Sequence, residues 1–179
     1  TSYDLPNVFD TKDYRWRYYL NRAEAHNTLV INPDAGPDHT LNSVVTVSRY
    51  ETADDKAIAV ADTSQLYKDK VTSAKRGFFF TDDRKSLVVR DEIALTGESD
   101  VYWFMQTTAK TIELDEDGKG ALLTNGSGLQ LRLDFISSDD AVIVQGESKP
   151  LPTSPVMDGD TYIPQCKRIY IKMKSDGNA

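Results

Sequence analysis

Residues 78–89 read FFFTDDRKSLVV, and this stretch is the most direct indication of the fold. Two apolar runs flank the polar turn Asp82–Lys85, a pattern typical of two antiparallel strands joined in a β-hairpin. A second hairpin is predicted further along the chain, where Thr111–Leu114 and Lys119–Leu123 flank the turn Asp115–Gly118.

The same alternation of strand and turn runs along almost the whole chain. The predicted strands are Arg15–Leu20, Thr28–Asn32, Asn42–Glu51, Lys56–Asp62, Val71–Thr81, Ser86–Ile93, Asp100–Thr107, Thr111–Leu114, Lys119–Leu123, Leu129–Ile136, Ala141–Gln145 and Arg168–Met173. One short helical turn is predicted at Thr63–Asp69, with Asp62 or Thr63 as its N-cap. The proline-rich segment Lys149–Pro155 is expected to be a surface loop that lets the last strands pair with earlier ones.

Many short strands with almost no helix predict an all-β fold, a two-layer antiparallel β-sandwich. The length of 179 residues favours a single domain over residues 1–179.

Composition and charge exclude several classes of partner. The formal net charge is -7 at pH 7, and Lys and Arg do not cluster, so a nucleic-acid partner is not expected. The apolar runs are too short to cross a membrane, so no membrane partner is expected either. An acidic chain has no general attraction for an acidic glycan, so binding one would require locally placed cations. The one cysteine, Cys166, excludes an internal disulfide and is interpreted as a structural thiol.

The two histidines are the first candidates for chemistry, because imidazole titrates near neutral pH and is the commonest metal ligand. His26 lies where the polar segment Arg22–Ala25 gives way to an apolar strand, and the mouth of a strand suits a catalytic or metal-binding histidine. The alternative is an edge histidine that bonds a loop carbonyl. His39, in a turn rich in Pro, Gly and Asp, is more typical of plain surface.

Around His26 the sequence resembles a known enzyme family. Arg15-Trp16-Arg17-Tyr18-Tyr19, Arg22 and Ala25-His26-Asn27-Thr28-Leu29-Val30-Ile31-Asn32-Pro33 are similar to the His-Asn-Thr signature of heparinase II/III-like polysaccharide lyases. Further matches follow in the family's order; they are Ala61-Asp62-Thr63, Tyr67, Lys75-Arg76-Gly77, Val88–Ile93 and Trp103–Thr107. The resemblance extends to about Ile136.

This resemblance implies the C-terminal β-sandwich of an enzyme whose N-terminal part is an α/α toroid. Such lyases cleave uronate-containing glycans by β-elimination, which needs a base, an acid and a group that neutralises the carboxylate. In the family, the catalytic tyrosine and the neutralising Asn or His come from the toroid, and a His from the His-Asn-Thr element joins them. That residue corresponds to His26, which is a zinc ligand in zinc-containing members.

The sequence also departs from the family's pattern. It has no His-x-His, and the Asp-x-Gly element expected just before the His26 segment has no clear match, so residue 1 is expected to fall after both. Tyr3, Tyr18 and Tyr19 lie in the sandwich part and inherit no catalytic role. No cofactor is expected in this chain, although zinc is possible in a full-length protein, with His26 as one ligand. Substitute ligands, His39 with Asp34 or Asp38, are disfavoured because they lie in a flexible loop.

The substrate-binding candidates are Arg22, Arg17 and Asn27. The guanidinium groups of Arg15, Arg17 and Arg22 could pair with carboxylate or sulfate, with Arg22 the best of the three. The alternative is a strand whose alternate residues, Arg15 and Arg17, face solvent. Asn27 is also expected to fix the local turn by bonding the backbone.

Two functions of different classes remain open from the sequence. The first is the cleft-lining sandwich of a uronate-glycan lyase, inactive by itself, whose partners are an acidic polysaccharide and an N-terminal toroid. The second is a non-catalytic carbohydrate-binding or structural module. A secreted or periplasmic location is expected from the resemblance alone.

The missing upstream ligands generate a prediction about metal. A zinc site needs three or four N, O or S ligands, so the 179-residue chain should not retain stoichiometric zinc after dialysis against chelator-free buffer. Elemental analysis of the dialysed protein measures this. One zinc per chain that is lost in His26→Ala would contradict the prediction.

Overall fold

The computed structural model describes residues 4–81, 83–137 and 140–175. In these residues the chain is mostly strand, with short 3-10 helices and no α-helix. The strands are β1 (Leu29–Ile31), β2 (Thr46–Thr52), β3 (Ala57–Asp62), β4 (Val71–Thr81), β5 (Ser86–Leu95), β6 (Ser99–Thr107), β7 (Thr111–Leu114), β8 (Gly120–Thr124), β9 (Gln130–Asp134), β10 (Ile143–Glu147) and β11 (Lys167–Ser175). The 3-10 helices are Tyr14–Arg17, Tyr19–Asn21, Ala23–Ala25 and Ser64–Tyr67. Within the described ranges, no helix is long and apolar enough to span a membrane.

The strands form three antiparallel sheets, in the orders β1-β6-β11-β10, β2-β3-β4-β5 and β7-β8-β9. The chain divides into two compact units. One unit contains the residues up to Asp38 together with Asp100–Lys174, and thus the first and third sheets; the other is built on His39–Ser99 and holds the second.

The first unit is a two-layer sandwich. One apolar cluster joins its two sheets, with Ala121 and Leu123 from β8 and Ile143, Ile169 and Ile171 from β10 and β11. On the opposite face of the larger sheet, Val30 and Phe104 pack with Leu151 and the half-buried Ala23. This second cluster holds the segment that leads into His26 against the sheet.

The second unit confirms the predicted hairpin at residues 78–89. Phe78 pairs with Val89 and Phe80 with Leu87 across β4 and β5. In the turn, Arg84 has a positive φ of 64°, which is uncommon for a residue with a side chain. Its guanidinium donates to the Ala53 carbonyl at 2.7 Å and ties this turn to the one between β2 and β3. Asp82 lies outside the described residues.

The predicted strand Arg15–Leu20 is wrong, because this segment forms two 3-10 helices. Tyr18 and Tyr19 are consecutive and both buried. In a strand with one solvent-exposed face, consecutive side chains point to opposite faces, so only one of the two would be buried. The Tyr18 hydroxyl donates to the Pro6 carbonyl at 2.5 Å, and the Tyr19 N–H donates to Asp160 at 3.0 Å. These long-range bonds override the strand preference of Trp and Tyr.

Two other predictions need partial correction. The strand predicted from Asn42 begins only at Thr46, since Asn42 has a positive φ of 58°. The loop Lys149–Pro155 does let β11 lie between β6 and β10, but it is not simply a surface loop. Leu151 and Ser154 within it are buried.

The helical turn predicted at Thr63–Asp69 is confirmed as the 3-10 helix Ser64–Tyr67. The Asp62 carboxylate accepts from the Ser64 N–H at 3.0 Å and from the Ser64 hydroxyl at 2.6 Å. Asp62 therefore satisfies the first donors of this turn.

Two glycines of the first unit provide a test of this packing. Gly118 has a positive φ of 68°, and a Cβ there would lie 2.8 Å from Cβ of Val142, whereas a Cβ on Gly126 would meet nothing within 4 Å. Gly118→Ala should therefore lower the free energy of unfolding by about 1–3 kcal/mol, from backbone strain and overpacking. The matched control Gly126→Ala should change it by less than about 0.5 kcal/mol. Urea unfolding measures both, and equal effects would contradict the described turn.

Candidate functional site

His26 lies at the junction between an irregular segment and the buried strand β1. The 3-10 helix Ala23–Ala25 ends at His26, whose N–H donates to the Ala23 carbonyl at 2.9 Å. The backbone of His26 is extended, and Thr28 N–H donates back to the His26 carbonyl at 3.0 Å. The side chain is exposed, and its imidazole has no hydrogen bond or ion pair to any residue that the structure describes. An exposed imidazole on a fixed backbone is available to a ligand.

Asn27 is exposed next to His26, and its side chain bonds backbone as the sequence predicts. Its Oδ1 accepts a hydrogen bond from the Gln106 N–H at 2.7 Å. The partner lies on β6 and not in the local turn, so Asn27 fixes the segment to the sheet.

Arg22 is in the interior, where it cannot meet a glycan in the described structure. Its side chain is 0% exposed, and its guanidinium forms ion pairs with Asp38 and Glu24. The same group donates to the carbonyls of Gly36, at 2.7 Å, and Asp34, at 3.1 Å. The expectation that Arg22 is the best of the three substrate-binding arginines is corrected, because these acceptors occupy it.

The carboxylates around Arg22 connect three further segments. Asp38 accepts from the Glu24 N–H at 3.1 Å, which holds the loop after β1 against the 3-10 helix. Glu24 Oε2 accepts from the Ser154 hydroxyl at 2.8 Å and from the Leu151 N–H at 3.4 Å. Arg22, Glu24, Asp38 and Ser154 are called the buried ion cluster below.

Burial also changes the electrostatics of Glu24. Desolvation raises the pKa of this carboxyl above its ordinary value, and the Ser154 hydroxyl and the Arg22 charge oppose that shift. The charged form of the Glu24 carboxyl is therefore stabilised by its hydrogen bond from Ser154 and by the charge of Arg22. The cluster is therefore a structural element, and His26 and Asn27 are the exposed residues that follow it.

Arg15 and Arg17 lie on the 3-10 helix Tyr14–Arg17 and not on a strand. Arg17 forms a bidentate ion pair with Asp13, at 2.8 and 2.5 Å, and lies over the Tyr14 ring at 5.3 Å. Arg15 lies over the Trp16 ring at 5.5 Å. Both side chains are half-buried at the surface, so they keep partial access to solvent.

The other singled-out residues have structural surroundings. His39 packs edge-on against the Tyr67 ring, with centroids 5.0 Å apart. Cys166 is half-buried, and its thiol lies 3.9 Å from Oε1 of Gln106. Asp91 pairs with Arg76 and Glu92 with Arg90, which agrees with side chains on opposite strand faces.

The described side chains do not by themselves fit a zinc ion. No group of three or more His, Cys, Asp or Glu side chains converges among residues 4–81, 83–137 and 140–175. Asp38, one of the two substitute ligands considered with His39, is in the buried ion cluster.

Sequence reasoning missed Glu24, Ser154 and Gln106, and it considered Asp38 only as a substitute metal ligand. In the sequence, Arg22 and Glu24 lie in a polar segment between two predicted strands, and Ser154 lies in a proline-rich loop 130 residues from Glu24. No local pattern indicates that these residues meet. The one available signal is that Arg22 and Glu24 flank a small residue, Ala23, just before an apolar run.

Comparison with known proteins now identifies the family. Residues 7–167 match the family model described as heparinase II/III-like, C-terminal. The chain belongs to this family of polysaccharide lyases. No curated protein sequence is similar enough to count as a match.

Solved structures show the same fold. A heparan sulfate lyase from Pedobacter heparinus superposes with a TM-score of 0.68 at 12% identity, covering 89% of this chain and 23% of the lyase. A heparinase III gene product superposes with a TM-score of 0.64 at 14% identity, covering 96% of this chain and 24% of that protein. This chain thus spans about a quarter of the length of these lyases, and the likeness confirms the predicted all-β antiparallel sandwich.

The buried ion cluster generates a prediction about stability. Arg22→Met removes the cation and leaves Glu24 and Asp38 buried without their partner, which should lower the free energy of unfolding by about 3–5 kcal/mol. Arg17→Ala is the matched control, because the Arg17–Asp13 pair lies at the surface and solvent screens it, so its midpoint should stay close to that of the wild type. Urea unfolding followed by tryptophan fluorescence measures both. Similar midpoints for Arg22→Met and the wild type would show that the cluster does not hold the fold.

Proposed function

We propose that this chain is the C-terminal sandwich of a lyase that cleaves a uronate-containing polysaccharide by β-elimination, and that it lines the cleft without being catalytic alone. The observation that carries the proposal is the exposed imidazole of His26 on a rigid backbone, in a chain of the heparinase II/III-like family. The titles of the matched structures name a heparan sulfate lyase and a heparinase III, which supports an acidic glycan as substrate.

The reaction needs more groups than this chain supplies. A base removes the proton beside the uronate carboxylate, the C–O bond to the leaving sugar breaks, and an acid protonates the leaving oxygen, which leaves an unsaturated uronate. A neutralised carboxylate makes that proton more acidic. Of these roles, His26 could hold one, as an acid, a base or a ligand that orients a partner. The remaining groups would come from an N-terminal toroid of the same protein.

The contribution to substrate binding that we propose for this chain is modest. Arg17 and Asn27 are proposed contacts, and Arg17 would have to exchange Asp13 for a substrate anion. Because the chain carries a net charge of -7, attraction for an acidic glycan would depend on such local cations and on the rest of the protein. A secreted or periplasmic location, where such glycans occur, is part of the same proposal.

A non-catalytic carbohydrate-binding module is the second candidate. One observation favours it: in the part of the chain that the structure describes, no second catalytic candidate lies beside His26. The experiment on the full-length protein separates the two functions, since a binding module would release no unsaturated product.

The test is an assay of unsaturated uronate by its ultraviolet absorbance across a panel of acidic glycans. The full-length protein should cleave at least one glycan, and the 179-residue chain alone should cleave none. His26→Ala should lower full-length turnover by about a hundredfold or more, as loss of an acid–base group does. The control is His39→Ala, which removes an imidazole packed on Tyr67 and should leave turnover near the wild-type value.

Two results would contradict the proposal. Cleavage by the 179-residue chain alone would show that the sandwich carries a complete site. An active full-length enzyme that is indifferent to His26→Ala would remove His26 from the site.

A further inference from the structure

Gln106 lies on β6, just beyond the last pair of the β1–β6 ladder. The ladder ends where Leu29 pairs with Trp103, and His26 precedes the first residue of β1. Regular pairing has stopped at this point, because the chain before β1 turns into the 3-10 helix Ala23–Ala25. At this end of the sheet, two hydrogen bonds from Gln106 replace the regular backbone pairing between strands.

Gln106 contacts the chain on both sides of His26. Its side-chain Nε2 donates to the Glu24 carbonyl at 2.9 Å, two residues before His26. Its backbone N–H donates to Oδ1 of Asn27 at 2.7 Å, one residue after His26. One residue of a rigid strand thus fixes both flanks of the exposed histidine.

A chain of hydroxyl groups fixes the orientation of the Gln106 amide. The Ser148 hydroxyl donates to Gln106 Oε1 at 2.8 Å, and the buried Tyr19 hydroxyl lies 3.0 Å from Ser148 Oγ. Ser148 has one hydroxyl hydrogen, which goes to Gln106, so Tyr19 must be the donor to Ser148. Burial raises the pKa of Tyr19, which keeps this hydroxyl protonated.

The three hydrogen bonds of this series therefore all point the same way. Each donor passes to the next acceptor, from Tyr19 through Ser148 and Gln106 to the Glu24 carbonyl. The amide must accept on its oxygen and donate from its nitrogen, and an amide side chain meets both demands. A carboxylate at this position would accept from Ser148 but would turn a second acceptor toward the Glu24 carbonyl. An apolar side chain would leave both partners unsatisfied.

We propose that Gln106 is a positioning residue that holds the His26 segment in its working geometry, with Ser148 and Tyr19 orienting its amide. This inference rests on the proposed function, because it assigns Gln106 an effect on turnover through His26. Gln106 itself need not touch the substrate. Its loss should lower kcat and leave KM nearly unchanged, since the histidine remains but is less well oriented.

The first experiment measures the geometry without any activity. Hydrogen exchange, read by mass spectrometry on peptides that cover residues 23–28, reports the backbone bonds of His26 and Thr28. In the full-length protein, Gln106→Leu and Gln106→Glu should speed exchange there about tenfold and leave peptides from β7–β9 unchanged. Gln145→Leu, at an exposed position on β10 of the same sheet, is the matched control and should change neither.

The second experiment is a double-mutant cycle in the full-length protein with a glycan that the wild type cleaves. Gln106→Glu should lower kcat about tenfold with KM within about threefold, and it should have no further effect in the His26→Ala background. Ser148→Ala should act in the same direction with a smaller effect. It serves as the second variant if a substitution of Gln106 prevents folding.

The outcomes separate this inference from the proposed function. If no glycan is cleaved, or if His26→Ala is fully active, the proposed function fails, and exchange at residues 23–28 alone decides the role of Gln106. Unchanged exchange in the Gln106 variants overturns the inference. A kcat effect of equal size with and without His26 overturns it as well, because that result would mean a general structural role.

Discussion

The burial of Arg22 is the constraint on which the rest of the site depends. A guanidinium without access to water is strongly destabilising unless charged and polar acceptors surround it. Here Glu24, Asp38 and the carbonyls of the loop after β1 supply those acceptors. The Ser154 hydroxyl donates to Glu24, so the proline-rich loop is linked to Arg22 indirectly, through the Glu24 carboxylate. Segments far apart in sequence are thus fixed around one charge.

This arrangement explains how an irregular segment can hold an exposed histidine in place. The chain before β1 has few ladder bonds, so regular pairing cannot fix it. Polar groups do so from two directions. The buried ion cluster fixes Arg22 and Glu24, and the side-chain amide and the backbone N–H of Gln106 bond the two flanks of His26. Apolar packing of Ala23 against Val30, Phe104 and Leu151 completes the support. His26 is the one side chain at this junction that the structure turns outward without a described partner.

The distribution of cations limits how the proposed lyase part could meet an acidic polymer. Arg22 is used internally, and Arg17 is paired with Asp13. With an overall charge of -7, the chain offers no general attraction for an acidic polymer. That pattern favours the proposed cleft wall over a module that captures glycan by itself.

The sequence by itself determined the strand pattern and the place of His26. Hairpins such as residues 78–89 can be predicted because alternation and turn residues act over a few positions, and the register of β4 and β5 follows from them.

The tertiary structure decided what those patterns could not encode. Trp, Tyr and Tyr at residues 16–19 favour a strand locally, but contacts with Pro6 and Asp160 make them helical turns. Arg22 has the local appearance of an exposed substrate contact, and it is interior because Asp38 and Ser154 come from distant segments to surround it. The role proposed for Gln106 has the same origin, since Ser148 and Tyr19 are its neighbours in space and are distant in sequence. Local propensity depends on neighbours in sequence, whereas the burial of a charge and the direction of a hydrogen-bond chain depend on neighbours in space.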